Sequence, residues 1–404
     1  MSLQTSPRAA PAVLTETAHV VWPDARELQV TRSTKAPAGS RDWVVLPSVA
    51  TPRWLLPADA PATARALVGQ EPTRTRQVAA TLVARAHRAG LVHRVPVRRL
   101  RVDHPGDDSL EATLRRMLRT EVDVAIRLGS WRHARSVVVR LFASDGTTLA
   151  FGKLGVDDLG RTSVREEARA LARVAQLDLT QVVHSEVVGR EVWRGLEVLL
   201  VTPLLLGRGD DDDGLPVAAM RELAGAAGSR VGPLSDSAWW TGLSERVVEV
   251  ADPSVREELG SHVDHLRWVA SGTAVPLGPS HGDWTPWNMA WKGGRVLLWD
   301  WEHFAEDVPV GFDHSHFLAQ QLRVSSGTGP DVEATWLELA HVALQQHIGL
   351  DHAARDLVLA AYLLEVNLRY VLDRQGTPQE VERRAGWGLE MLRRRVQDLP
   401  HDPG

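Results

Sequence analysis

The 404-residue chain contains no cysteine. Disulfides, thiolate catalysis and cysteine-based zinc sites are therefore excluded. It also lacks an excess of positive charge. The formal net charge is -5, with 16 His, unlike the strongly basic footprint of a nucleic-acid binder, so no nucleic-acid partner is expected. No apolar run approaches the length of a membrane span, so no membrane partner is expected. The first residues, Met1 to Arg8, lack the continuous apolar core of a secretory signal, which makes the cytoplasm the expected location. Lysine is scarce, whereas arginine, alanine and tryptophan are abundant (15 Trp). That bias carries no functional reading, and the oligomeric state is not legible.

What is present suits a folded protein of two lobes or domains, by length and by an apolar fraction of 44%. Residues 1 to about 15 are rich in Pro, Ala, Ser and Thr and read as frayed. Ala18–Trp22, Trp43–Leu46 and Trp54–Leu56 read as short strands punctuated by prolines. Residues 74–89 place Val78, Leu82 and Ala86 on one helical face, ended by Gly90. Asp108-Ser109-Leu110-Glu111 is a capped start for a helix carrying Leu114 and Met117. Val122–Leu128, Ser136–Phe142 and Thr148–Leu154 then read as three strands, with Ser144-Asp145-Gly146-Thr147 as the last turn. A helix over 163–176 and two strands near 182–188 and 196–201 follow. Beyond Pro203 the pattern is mostly helical, near 216–228, 235–250 and 253–269, with three long helical segments closing the chain. The last of these starts at a capping box, Thr377-Pro378-Gln379-Glu380. The acidic run Asp210 to Asp213 reads as a solvated loop.

A hairpin at 288–300, turning at Lys292-Gly293-Gly294, interrupts the helices. It carries the strongest signal in the chain, Ser280-His281-Gly282-Asp283-Trp284-Thr285-Pro286-Trp287-Asn288, followed by Trp299-Asp300-Trp301-Glu302. Asn288 and Asp300 stand at opposite ends of one tight hairpin, which sets an amide oxygen beside a carboxylate. Magnesium takes oxygen ligands, usually one or two from the protein and the rest from phosphates and water. Asp283, on the incoming loop, can accept the proton of a hydroxyl as its oxygen attacks a terminal phosphate.

This segment resembles the catalytic loop of the aminoglycoside phosphotransferase and choline kinase families, relatives of protein kinases. The resemblance implies that Asp283 is the catalytic residue, that Asn288 and Asp300 hold Mg2+, and that His281 is structural. Pro309-Val310-Gly311-Phe312-Asp313 resembles the family's Pro-x3-Asp segment, whose Asp braces the catalytic loop. Such folds need a strand lysine for the ATP phosphates and a helix glutamate to orient it. Lys153, on the third strand, fits the first role. Ser163 with Glu166 reads as a capping box, so Glu167, sharing a face with Leu171 and Val174, is chosen as its partner and Glu166 is the fallback. The phosphate-covering turn is expected at Gly129–Ala134. There Ser130 and Arg132 either touch phosphates or belong to an ordinary hairpin turn. Adenine is expected against backbone groups after the fifth strand, with Val201 or Leu204 packing on the ring.

The expected architecture is α+β: a two-lobed protein-kinase-like fold. Residues 121–202 form an N-lobe with an antiparallel five-stranded sheet and one helix, and 203–404 form a mainly helical C-lobe. Residues 1–120 are an extension or subdomain outside the resemblance. The implied activity is transfer of the terminal phosphate of ATP, with Mg2+, to a hydroxyl of a small-molecule acceptor such as an aminoglycoside or amino sugar. One alternative is a non-catalytic member that binds nucleotide or a partner. Another is a His/Asp metallohydrolase, with His303, His314 and His316 lying near Asp300 and Asp313, although packing and hydrogen bonding are the expected roles of these histidines. Of the clustered tryptophans 239, 240, 284, 287, 299 and 301, Trp284 and Trp287 are candidates for acceptor contact.

Overall fold

The computed structural model describes residues 4–5, 12–67, 81–82, 84–87, 89, 97–128, 136–204, 214–327, 329–374 and 378–400. The chain divides into two compact units, Met1–Ala168 with Glu186–Pro203, and Arg169–Ser185 with Leu204–Gly404.

The first unit is organised by one sheet. Its strands are β1 (Gln4–Thr5), β2 (Glu27–Thr31), β3 (Ser40–Pro47), β4 (Pro52–Pro57), β5 (Arg99–Asp103), β6 (Asp123–Arg127), β7 (Ser136–Phe142), β8 (Thr148–Gly155), β10 (Val187–Trp193) and β11 (Leu196–Val201). They run in the order β1-β2-β5-β3-β4-β6-β7-β8-β11-β10. All neighbours are antiparallel except β1 and β2. Four of the five expected strands are β6, β7, β8 and β11; the one expected near 182–188 is corrected, because Val182–Val183 joins another sheet and β10, which completes the run β6-β7-β8-β11-β10, spans Val187–Trp193. The sheet continues past them because β4 pairs with β6, Trp54 opposite Arg127 and Leu55 opposite Ile126. An unpaired edge at β6 would present open N–H and C=O groups, and the preceding residues cover it. Strand and extension share one core, in which Trp43, Leu55 and Leu100 are buried with Val124, Val139 and Leu200.

Helix α1 (Ala12–Val21) overturns the strand expected at Ala18–Trp22. Leu14, Ala18 and Val21 are fully buried, and their spacing of four and three is a helical face, not an alternating one. Helix α2 (Leu110–Leu118) starts where expected, with the Ser109 side chain accepting from Ala112 N. Helix α3 (Asp158–Val174) starts five residues before the expected 163, so Ser163 lies inside the helix and not at its N-cap. Asp157 caps the helix instead, its Oδ1 accepting from Gly160 N at 2.7 Å. In the described part of the helix expected over 74–89, Leu82 is exposed while Ala84 and His87 are buried, so a different face is turned inward. The remainder, the acidic run at 210–213, and Thr377 fall outside the described residues.

The second unit is mainly helical: α4 (Val217–Gly225), α5 (Ala238–Val248), α6 (Pro253–Ala270), α7 (Phe312–Ser326), α8 (Pro330–Ala343), α9 (His352–Arg374) and α10 (Pro378–Gln397). Four long helices close the chain rather than three. Asp252 caps α6 by accepting from Ser254 N and Val255 N, with Pro253 in the first turn. Two three-stranded sheets accompany the helices. One is β12 (Arg230–Pro233), β13 (Ala274–Ser280) and β16 (Ala305–Pro309), strands that periodicity did not reveal. The other is the expected hairpin, β14 (Met289–Lys292) and β15 (Arg295–Leu298), joined by β9 (Val182–Val183) running parallel to β15. Gly293 and Gly294 turn the hairpin at φ of +58° and +74°, a conformation that admits glycine readily. Among the described residues no helix is long and apolar enough to cross a membrane.

Candidate active site

Strand β13 delivers the chain to a loop whose backbone is held from two sides. Asp313, in the first turn of α7, accepts from His281 N at 2.9 Å and from Gly282 N at 3.0 Å. The fully buried His281 ring accepts from Asp283 N at its Nδ1 (3.3 Å), which leaves Nε2 to donate to Trp299 O at 3.2 Å. Burial lowers the pKa of this imidazole, in keeping with a neutral ring that both donates and accepts. His281 thus ties the start of the loop to the residue before Asp300. Gly282 is required here. Its φ is +78°, and a Cβ would lie 2.3 Å from His303 O.

Asp283 and Asn288 meet directly. Asn288 Nδ2 donates to Asp283 Oδ2 at 2.8 Å and to Asp283 O at 3.1 Å. This commits the amide nitrogen and turns Asn288 Oδ1 elsewhere. Asn288 O accepts from Trp299 N at 3.1 Å, which continues the β14–β15 register and fixes Asp300 one residue past the hairpin. Asp300 adopts φ 72° and ψ 55°, a left-handed conformation uncommon for aspartate and frequent at functional positions. Asn288 and Asp300 offer an amide oxygen and a carboxylate, the kind of hard oxygen donor that suits magnesium. Among the described residues no group of three or more His, Asp or Glu converges as a metal-binding set.

The other oxygen of Asp283 faces α7, where His316 Nε2 lies 2.9 Å from Oδ1. Burial alone would push the Asp283 carboxyl up. The His316 hydrogen bond and the Arg369 charge outweigh it and hold the group well below the usual carboxylate range. Arg369 also donates from Nη1 to Gly282 O at 2.9 Å. Sequence reasoning did not single out Arg369, and it named His316 only as a metal ligand of the metallohydrolase alternative or as a packing and hydrogen-bonding residue. The available signal for His316 is its position three residues after Asp313, on the same face of α7. His314, two residues away, is turned to a different contact, its ring stacked 6.1 Å from that of His347. Burial and the His347 charge push it down to about 4.

Lys153 and Glu167 are brought together in the first unit, with Nζ 2.7 Å from Oε2. Lys153 lies on β8, paired with Val138 on one side and Leu199 on the other. Glu167 is buried on α3 with Leu171 and Val174, whereas Glu166 is only half-buried. Gly155 permits the approach of that helix, since a Cβ there would sit 2.5 Å from the backbone of Arg161. Val201 ends β11 opposite Phe151 and packs beside Val164, Ala168 and Leu199. Leu204 is half-buried just beyond. Ser130 and Arg132 fall outside the described residues.

The tryptophans divide sharply. Trp284 is fully buried, its Nε1 donating to Met289 Sδ at 3.3 Å, so it is core and not an acceptor contact. Trp287 is 46% exposed, with the Arg323 guanidinium 5.9 Å from its ring centre.

No protein-family model matches the chain, and no curated protein matches it. Solved structures with a similar backbone include a thermostable mutant of aminoglycoside phosphotransferase APH(4)-Ia in its apo form, with 14% identity over 70% of this chain and 99% of that one and a TM-score of 0.48. The amicoumacin kinase hAmiN in complex with AMP-PNP, Ca2+ and Ami is 15% identical over 65% of this chain and 86% of that one, with a TM-score of 0.42. A choline/ethanolamine kinase family protein from Mesorhizobium loti is 14% identical over 67% of this chain and 87% of that one, with a TM-score of 0.39.

Proposed function

We propose that the chain transfers the terminal phosphate of ATP to a hydroxyl of a small molecule such as an aminoglycoside or amino sugar. The observation that carries this is the constellation around Asp283: a carboxylate hydrogen-bonded to Asn288 (2.8 Å), on a loop braced by Asp313 and tied through His281 to the hairpin end that bears Asp300. Asp283 receives the acceptor hydroxyl. As that oxygen bonds to the terminal phosphorus and the bond to the bridging oxygen breaks, the hydroxyl proton passes to the carboxylate. A carboxylate held below its usual range is a weak base, which suits a loose transition state in which the attacking oxygen becomes acidic late. Orientation is therefore the larger part of its work. Asn288 Oδ1 and Asp300 would hold Mg2+, which when bound neutralises phosphate charge. Lys153, oriented by Glu167, neutralises charge on the phosphates as well.

The test is magnesium-dependent ADP release from ATP across a panel of hydroxylated acceptors, with Asp283→Asn alongside. Acceptor-stimulated release is expected, reduced by about 10²- to 10⁴-fold in the variant while ATP binding persists. ATP binding without release under any acceptor would replace this reading by a non-catalytic one. No ATP binding would refute it.

A further inference from the structure

The two oxygens of Asp283 are held by different elements. Oδ2 accepts from Asn288 on the same loop, and Oδ1 lies 2.9 Å from His316 Nε2 on α7. His316 is 2% exposed. Its second nitrogen, Nδ1, is 3.1 Å from the hydroxyl of Tyr362 on α9, which is itself buried. A carboxylate only accepts, so Nε2 carries a proton. In the neutral ring Nδ1 then accepts, and the Tyr362 hydroxyl donates to it. Burial raises the Tyr362 phenol well above its ordinary value, so it keeps the proton this arrangement needs. The order is Tyr362 O–H to Nδ1, then Nε2–H to Oδ1.

An aspartate carboxylate turns broadly about its terminal torsion. With one oxygen clamped from the loop and the other from α7, that rotation is lost, and each oxygen keeps a lone pair for an incoming hydroxyl. Helix α7 thus acts twice, Asp313 holding the backbone of the loop and His316, one turn later, holding its side chain. We infer that His316 is a positioning residue that fixes the Asp283 carboxylate for phosphotransfer, with Tyr362 setting the imidazole tautomer. The inference rests on the phosphotransfer reading above and adds a residue to it.

The test combines turnover with spectroscopy. ADP release from magnesium ATP is measured with water as acceptor in wild type, His316→Leu, His316→Gln and Tyr362→Phe, and the imidazole nitrogens of ¹⁵N-histidine-labelled protein are recorded by NMR. His316→Leu is expected to lower kcat by about 10- to 100-fold, the scale of a small misplacement of a reacting group, with KM for ATP unchanged. His316→Gln, whose side-chain amide presents an N–H in place of Nε2–H, is expected to recover most of that loss. The His316 signal is expected as the Nε2–H tautomer, shifted by Asp283→Asn and becoming a tautomer mixture in Tyr362→Phe. Wild-type kcat in His316→Leu overturns the positioning role and leaves phosphotransfer standing. Equal kcat losses in the Leu and Gln variants, matched by equal losses of thermal stability, reduce His316 to packing and overturn the role too. An imidazole signal indifferent to Asp283→Asn overturns the hydrogen bond itself. A wild type that releases no ADP with water or with any hydroxylated acceptor of the panel removes the phosphotransfer reading, and the positioning role with it.

Discussion

Replacing Asp313 by alanine isolates what holds the catalytic loop in place. The carboxylate accepts two backbone hydrogen bonds, from His281 N at 2.9 Å and Gly282 N at 3.0 Å, and is buried. Hydrogen bonds to a charged group contribute about 1.5–3 kcal/mol each, so the pair is worth roughly 3–6 kcal/mol if the loop stays in place. The loop can relax toward water, which returns part of this and leaves about 2–4 kcal/mol of local destabilisation. At roughly 1.4 kcal/mol per decade, the His281 and Gly282 amides should exchange with solvent about 30- to 1,000-fold faster in Asp313→Ala. Amides in the capped helix α6 should be unmoved. Asp313→Asn should do no better, because its amide keeps one acceptor but sets an NH₂ against the second backbone N–H. The assay is native-state hydrogen exchange on a peptide spanning 280–284, under conditions where local opening reports free energy. Wild-type exchange in Asp313→Ala would refute the reasoning, since it would mean that His281, its hairpin and Arg369 hold the loop without Asp313.

Two further predictions follow from buried charges in the first unit. Glu111 is buried beneath the Trp22–Trp43 pair with one oxygen accepting from Trp22 Nε1 at 3.1 Å, and burial raises its pKa. A carboxyl raised in the folded state contributes its full stability below the unfolded value near 4.5 and loses it as pH rises through the folded value. Glu111→Gln keeps the acceptor without the charge. It should be more stable than wild type in denaturant at pH 7 and equal to it near pH 4, and a pH-independent difference would contradict this. Removing the cation 2.7 Å from Glu167 by Lys153→Ala should cost about 3–5 kcal/mol as a broken buried pair. Adding Glu167→Gln should restore much of it, giving a coupling of about 1–3 kcal/mol in a double-mutant cycle, and strict additivity would dispose of the pair as a unit.

Short-range patterns were legible and long-range ones were not. The β14–β15 hairpin could be read because its turn needs two residues at positive φ and Gly293-Gly294 supplies them. The Lys153–Glu167 pair could be read because the resemblance implies a lysine on the third strand, and the helix period puts Glu167 on the face of Leu171 and Val174. Strands β2 and β5 escaped notice because their partners are remote, and because β5 alternates Leu100 and Val102 with arginines that look solvent-facing. In fact Arg101 is buried against Asp42 at 2.7 Å. The start of α3 was misplaced because Ser163-x-x-Glu166 mimics a cap. The true start is capped by Asp157, whose Oδ1 accepts from Gly160 N, a competing local signal six residues earlier.

The polar surroundings of Asp283 show what a different reading of the sequence would have found. Helix α9 buries an apolar face, with Leu357, Val358, Leu364, Leu368 and Val371 inside, yet beside the buried Asn367 it carries Tyr362, Glu365 and Arg369 at intervals of three and four. In a buried helix such a stripe is costly unless each member has a partner. Each has one: Tyr362 meets His316, Glu365 accepts from Arg246 at 2.6 Å and from Trp239 Nε1 at 2.9 Å, and Arg369 donates to Gly282 O. Charge balance makes them interdependent. Arg369 is raised despite its burial, with Asp283 and Glu365 as its chief favourable charges, and Glu365 is lowered by Arg246 and Arg369 against its own burial. The negative charge of Asp283 is therefore matched by Arg369, 86 residues later in the chain. A polar stripe on an apolar helix, more than any motif near the catalytic loop, is the sequence feature that marks where a charged side chain must be met.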